Sequence, residues 1–97
     1  MNKQEFKARA NQTIDEVSAK INELKAEKAS TEDNLKKQID SDIENLEIKE
    51  SELKDRLKEI ENATEEQWEN AKDAFTNARE KYNETLSNLQ SKLETTA

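Results

Sequence analysis

The stretch Lys28-Ala29-Ser30-Thr31-Glu32-Asp33 decides between two folds for this chain. Ser30, followed three residues later by Asp33, can cap a new helix, and this pair favours a turn. The apolar periodicity nevertheless keeps its phase across the same residues, and the stretch contains neither Gly nor Pro. Because those two residues are the usual helix breakers, an uninterrupted helix is the competing prediction.

A stripe of positions, which we call the seam, extends from this stretch in both directions. Its steps are always three or four residues and average about 3.6, the period of a straight α-helix. A disordered chain would not hold this phase, so the seam predicts long, nearly straight amphipathic helices. The seam consists of Phe6, Ala10, Ile14, Val17, Ile21, Leu24, Lys28, Thr31, Leu35, Ile39, Ile43, Leu46, Glu50, Leu53, Leu57, Ile60, Thr64, Trp68, Ala71, Phe75, Ala78, Tyr82, Leu86, Leu89 and Leu93.

The composition agrees with a single all-α domain over residues 1–97. The 97-residue chain has no Gly and no Pro, and 40% of its residues are charged against 31% hydrophobic. Such a balance is poor for a broad globular core but ordinary for long helices with a narrow apolar stripe. We therefore predict a coiled-coil-like helical bundle.

The clearest turn signal lies at about residues 61–64. Thr64 and Gln67 have the spacing of a capping box, which would start a second helix. Asn62 is the best candidate for a left-handed C-cap in a chain without Gly. These signals predict one helix over about 3–61 and another over about 65–95.

A turn near residue 63 would place Phe75 opposite Glu50, and the second helix would cover only residues 32–61. Five apolar side chains of the first helix would then lack cover, which a soluble protein must supply. The preferred architecture is an elongated antiparallel helical hairpin whose bare stripe is covered by a second copy. The alternative is a monomeric three-helix bundle with an extra turn near residues 28–33. The predicted self-association or partner contacts are Phe6, Ile14, Val17, Ile21, Leu24 and Glu50.

The residue types argue against an enzyme. There is no Cys and no His, so the usual transition-metal ligands and the usual neutral-pH proton shuttle are missing. We predict no catalytic residue, no metal, no cofactor and no small-molecule substrate. Glu50 is interpreted as a residue that sets helix register. The aromatic residues Trp68, Phe75 and Tyr82 are interpreted as core rather than as a ligand cage.

The charge and hydropathy patterns restrict the classes of partner that the chain is expected to bind. A net charge of −7 disfavours nucleic acid, whose backbone requires a basic surface. No apolar run is long enough for a transmembrane helix or a signal peptide, so a cytoplasmic location is expected. The expected partners are a second copy of the chain, as a dimer, or another protein.

Several segments resemble a known family. They are Ile14-Asp15-Glu16, Lys20-Ile21-Asn22-Glu23-Leu24-Lys25-Ala26, Lys37-Gln38-Ile39, Leu57-Lys58-Glu59-Ile60 and Ala63-Thr64-Glu65-Glu66-Gln67-Trp68-Glu69. Over about residues 14–93 the chain resembles small bacterial coiled-coil stress-response proteins of the cyanobacterial type. The resemblance implies a link to stress conditions and implies no enzymatic activity or cofactor.

The expected function is therefore that of a non-enzymatic structural or interaction protein, associated with stress, that acts through self-association. The alternative is a helical adaptor or chaperone-like module that presents an apolar helix stripe to a partner protein. Exposed apolar surface would discriminate between them, because the adaptor requires it and a closed assembly does not.

Overall fold

The computed structural model describes residues 2–28 and 33–95, and within these residues the chain forms three α-helices and no strand. They are α1 (Lys3–Lys28), α2 (Asp33–Asn62) and α3 (Trp68–Thr95). The prediction of an all-α helical bundle is confirmed. The predicted Ser30 cap falls in residues 29–32, outside the described residues.

The helices run up, down and up. Lys28 near the end of α1 pairs with Asp40 near the start of α2, and Lys3 at the start of α1 reaches the end of α2. Phe6 of α1 packs against Trp68 and Phe75 at the start of α3. Therefore α1 is antiparallel to α2 and parallel to α3.

The bundle is rod-shaped, with extents of 50 × 18 × 17 Å. A single helix over residues 3–61 would be about 88 Å long at 1.5 Å per residue, so the elongated hairpin with an unbroken first helix is not the fold adopted. The three-helix bundle with a reversal between Lys28 and Asp33 is the correct alternative. Local helix phase favoured continuity, but folding α1 back buries its apolar face within the same chain.

The core follows the seam closely. Among the residues that the structure describes, all fifteen buried hydrophobic residues are seam positions, and Leu46, Leu53, Ile60 and Leu89 are fully buried. Five more seam residues pack partly buried against this core: Phe6, Leu35, Ala71, Leu86 and Leu93. The periodicity that predicted helices therefore also identified the side chains that hold them together.

Local capping differs from the prediction at the end of α2. No described residue has a positive φ, so Asn62 does not form the predicted left-handed C-cap. The Ala63 N–H instead donates to the Ile60 carbonyl at 3.2 Å, which tightens the last turn. Beyond it, the Thr64 carbonyl accepts from the N–H groups of Gln67 and Trp68, and regular helix resumes at Trp68.

The start of α1 carries a cap that the seam did not reveal. The Asn2 side chain accepts a hydrogen bond from the Glu5 N–H at 2.8 Å, and its amide donates to the Glu5 carboxylate at 3.3 Å. Asn2 is therefore the N-cap of α1, and the second bond, between the two side chains, reinforces the first turn. The Asn-x-x-Glu spacing was readable in the sequence.

Candidate interaction surface

The predicted contact residues of α1 lie inside the bundle. Ile14, Val17, Ile21 and Leu24 are buried, and Phe6 is half-buried. Because the chain reverses direction between Lys28 and Asp33, α2 and α3 of the same chain cover this face. The face of α1 and the surface of α2 and α3 that receives it are therefore taken as the candidate surface.

Polar contacts fix how α1 sits on α2. The Lys25 ammonium lies 3.2 Å from the Glu47 carboxylate, and the Lys28 ammonium bonds to Asp40. In both pairs α1 supplies the cation and α2 the anion. An exposed pair of this kind contributes only about 0.2–1 kcal/mol, but like charges there would oppose docking. The pairs therefore specify register more than they stabilise the fold.

Glu50 is half-buried and joins α1 to α2. Its carboxylate accepts a hydrogen bond from the Ser18 hydroxyl. Burial, and then the negative charge of Glu50, raise the pKa of Tyr82 on α3. Tyr82 is 3% exposed, and its hydroxyl has no hydrogen-bond partner among the described residues. The middle of the bundle therefore contains a polar layer of Ser18, Glu50 and Tyr82.

The α2–α3 register that the seam and a turn near residue 63 predict is wrong. A turn centred near residue 63 would bring Lys92 beside residue 33, whereas Lys92 bonds to Asp42 at 3.0 Å. The register differs because α3 begins at Trp68 rather than near residue 65. Phe75 consequently contacts Phe6, at 5.7 Å between ring centroids, and the expectation that it faces Glu50 is wrong.

An aromatic cluster joins the first turns of α1 and α3. Phe6 lies 6.4 Å from Trp68 and meets Phe75 in an edge-to-face arrangement with an interplanar angle of 84°. The Lys72 ammonium lies 5.2 Å from the centre of the Trp68 ring, within cation–π range. Tyr82 belongs to the polar layer instead, so the three aromatic residues of α3 do not form one cage.

Lys3 attaches α1 to the end of α2. Its ammonium donates to the Ala63 carbonyl at 2.8 Å and to the Glu61 carbonyl at 3.4 Å. A cation at a helix C-terminus satisfies carbonyls that have no partner within the helix and interacts favourably with the helix dipole. Sequence reasoning missed Lys3, because no local signal shows that a residue sixty positions away supplies this contact.

The surface depressions are open grooves. One of about 510 Å³ lies by the α2–α3 turn and is lined by Ala63, Ala71 and Ala74, among others. Two of about 250 Å³ each follow the α1–α3 boundary, one beside Val17 and Tyr82 and the other beside Leu24 and Leu93. Both are bordered by Lys20, so the α1–α3 boundary is less closely filled there.

Among residues 2–28 and 33–95, no group of three or more acidic side chains is placed to hold a metal ion. No helix in that part of the chain is both long enough and apolar enough to cross a membrane. Comparisons of the chain with protein-family models, with curated proteins and with solved structures found no match.

Proposed function

We propose that this chain is a cytoplasmic, non-enzymatic structural and interaction protein that acts through self-association, with the link to stress conditions that its resemblance implies. The observation that carries the proposal is the α1 face. It combines a continuous apolar stripe with cations that match anions on α2. Such a face recognises a helical surface of complementary pattern.

Self-association agrees better with the described surface than client binding does. An adaptor would present a contiguous apolar patch, since exposed patches mark binding sites. In the part of the chain that the structure describes, Ile48 is the one large hydrophobic side chain that is exposed, at 55%. A lone exposed Ile is normal for a protein surface. The surface that can recognise a partner is thus the one that α1 covers.

Molar mass measured over a wide concentration range tests this function. We expect light scattering coupled to gel filtration to show the monomer at low concentration and a dimer that grows with concentration. Small-angle scattering should show a maximum dimension rising from about 50 Å, the length of the bundle, as the dimer forms. A monomer mass at every concentration would reject the proposal.

A further inference from the structure

We propose that two copies of this chain associate by exchanging α1, so that α1 of each copy docks on α2 and α3 of the other. The inference rests on the proposed self-association and names the surface responsible for it. The occupant of the docking surface is a second copy, because α1 already carries the matching apolar and charged pattern. Every contact that α1 makes in the monomer can be remade between copies.

The apolar part of the docking surface makes an undocked α1 energetically unfavourable. Ile14, Val17, Ile21 and Leu24 are all buried on docking. A separated α1 would expose this stripe to water, together with the core side chains of α2 and α3 beneath it. A departing α1 therefore either returns to its own chain or docks on another copy.

The connection between α1 and α2 favours exchange. Only four residues separate Lys28 from Asp33, and short connections invite domain swapping. The sequence of these residues lacks Gly and Pro, and the seam keeps helical phase from Leu24 to Leu35. At this connection the sequence therefore lacks the residues that usually enforce a reversal of the chain.

Charge determines which helix α1 accepts and in which direction. Lys25 and Lys28 meet Glu47 and Asp40, and Lys3 meets the carbonyl end of α2. These contacts lie at the two ends of α1, so reversing the docked helix would separate all of them. The same pattern is present on every copy, and this makes the exchanged contact as specific as the intramolecular one.

A pair of charge-reversed variants tests the exchange directly. The first carries Lys25→Glu with Lys28→Glu, and the second carries Asp40→Lys with Glu47→Lys. Each variant alone places like charges across its α1–α2 contact. A mixed dimer with exchanged α1 helices places opposite charges across both contacts.

We expect the two variants, mixed and annealed, to form the mixed dimer in preference to either homodimer, by a factor on the order of tenfold at low salt. Native mass spectrometry of variants with different tags measures this ratio. High salt should reduce it, because exposed ion pairs are screened. A statistical mixture of dimers would overturn α1 exchange.

Two controls keep the outcome interpretable. The chain with all four substitutions restores opposite charges within one molecule, so it should fold like the original and show no preference for a partner. The pair Lys54→Glu with Lys81→Glu and Asp55→Lys with Glu84→Lys changes net charge equally at exposed positions away from the observed α1–α2 ion pairs. A preference as large in this pair would overturn the exchange, because global charge would then explain it.

Lengthening the connection separates the two proposals. Gly-Ser repeats inserted between Ser30 and Thr31 should let α1 fold back freely and should lower the dimer fraction at least tenfold. If the original chain dimerises and the insertion leaves the dimer unchanged, α1 exchange is overturned while self-association stands. If every form stays monomeric, both proposals are rejected.

Discussion

The aromatic end of the bundle and its polar middle hold α1 in place by opposite means. At the end, Phe6 packs against Trp68 and Phe75, and the contacts are apolar. In the middle, Ser18 donates to Glu50, whose charge lies near the buried Tyr82 hydroxyl, which no described residue pairs. At the aromatic end, the burial of apolar surface stabilises the fold. In the middle, the burial of polar groups costs part of that stabilisation, but it fixes how the helices align. The contacts that stabilise the bundle by burial and the contacts that fix helix register therefore lie at different levels of the rod.

The largest effect is expected from the aromatic end. Phe75→Ala should lower the free energy of unfolding by about 3–5 kcal/mol, because it removes a buried ring and leaves a cavity. Urea denaturation followed by circular dichroism measures the change. Phe75→Leu is the matched control and should cost less than about 1.5 kcal/mol. A loss below about 1 kcal/mol for the alanine variant would mean that the end does not anchor the helices.

A substitution in the polar middle is expected to raise the free energy of unfolding rather than to lower it. Tyr82→Phe should raise the free energy of unfolding by about 1–2 kcal/mol, because it removes a buried hydroxyl that has no hydrogen-bond partner in the described part of the chain. The same urea titration gives the value. If the variant is instead less stable than the original, the hydroxyl has a partner in solution, and the contrast between the two regions weakens.

The raised pKa of Tyr82 adds a pH dependence to this contrast. The unfolded chain ionises its tyrosine at about pH 10, and the folded chain does so at higher pH. Between these pKa values the folded state binds more protons, so stability present below pH 10 is lost as pH rises through the folded pKa. We expect the original chain to lose more stability than Tyr82→Phe above pH 10. Parallel pH profiles of the two chains would contradict this.

Glu50→Leu should have a smaller stabilising effect, about 1 kcal/mol, or should change the association state. It replaces a half-buried carboxylate among apolar neighbours with a side chain that packs there. Ser18 loses its acceptor but can bond to a backbone carbonyl of its own helix. Glu50→Gln is the control, since it keeps an acceptor for Ser18 and removes only the charge. An unchanged melting temperature and mass would show that the carboxylate is well hydrated.

Lys3→Met should have the smallest effect, a loss of about 0.5–1 kcal/mol, because the Lys3 contact lies at a partly exposed helix end. Lys54→Met, at an exposed position of α2, is the matched control and should change little. Thermal unfolding of both variants under the same conditions makes the comparison. Equal melting temperatures would show that the carbonyls of Glu61 and Ala63 are capped equally well by water.

The sequence predicted the core better than the path of the chain. A period of 3.6 identifies which side of a helix is buried, and every hydrophobic residue that is buried in residues 2–28 and 33–95 lies on the seam. The same period cannot show that the helix stops after Lys28, because the free energy that folds α1 back comes from residues distant in sequence. The register of α3 was missed for a related reason. It depends on where regular helix resumes, and the capping signal at Thr64 precedes Trp68 by four residues.

The contacts of the candidate surface, too, could be predicted from the sequence only in part. Phase singled out Phe6, Ile14, Val17, Ile21, Leu24 and Glu50, and all six lie at the α1 contacts within the bundle. Nothing local indicated Lys3 or the choice of Glu47 for Lys25. Long flexible side chains select partners only after the helices are placed, so these pairings follow from the fold.

The Phe6 contact with Trp68 has an optical consequence. Trp68 is the one tryptophan of the sequence, and it lies where α1 meets α3 under the ammonium of Lys72. Its emission therefore reports whether a Phe6 ring covers it. Departure of α1 would bring water to the indole and shift the emission to longer wavelength, whereas an α1 from another copy would restore the shorter one. The chain thus carries its own unlabelled probe of α1 docking.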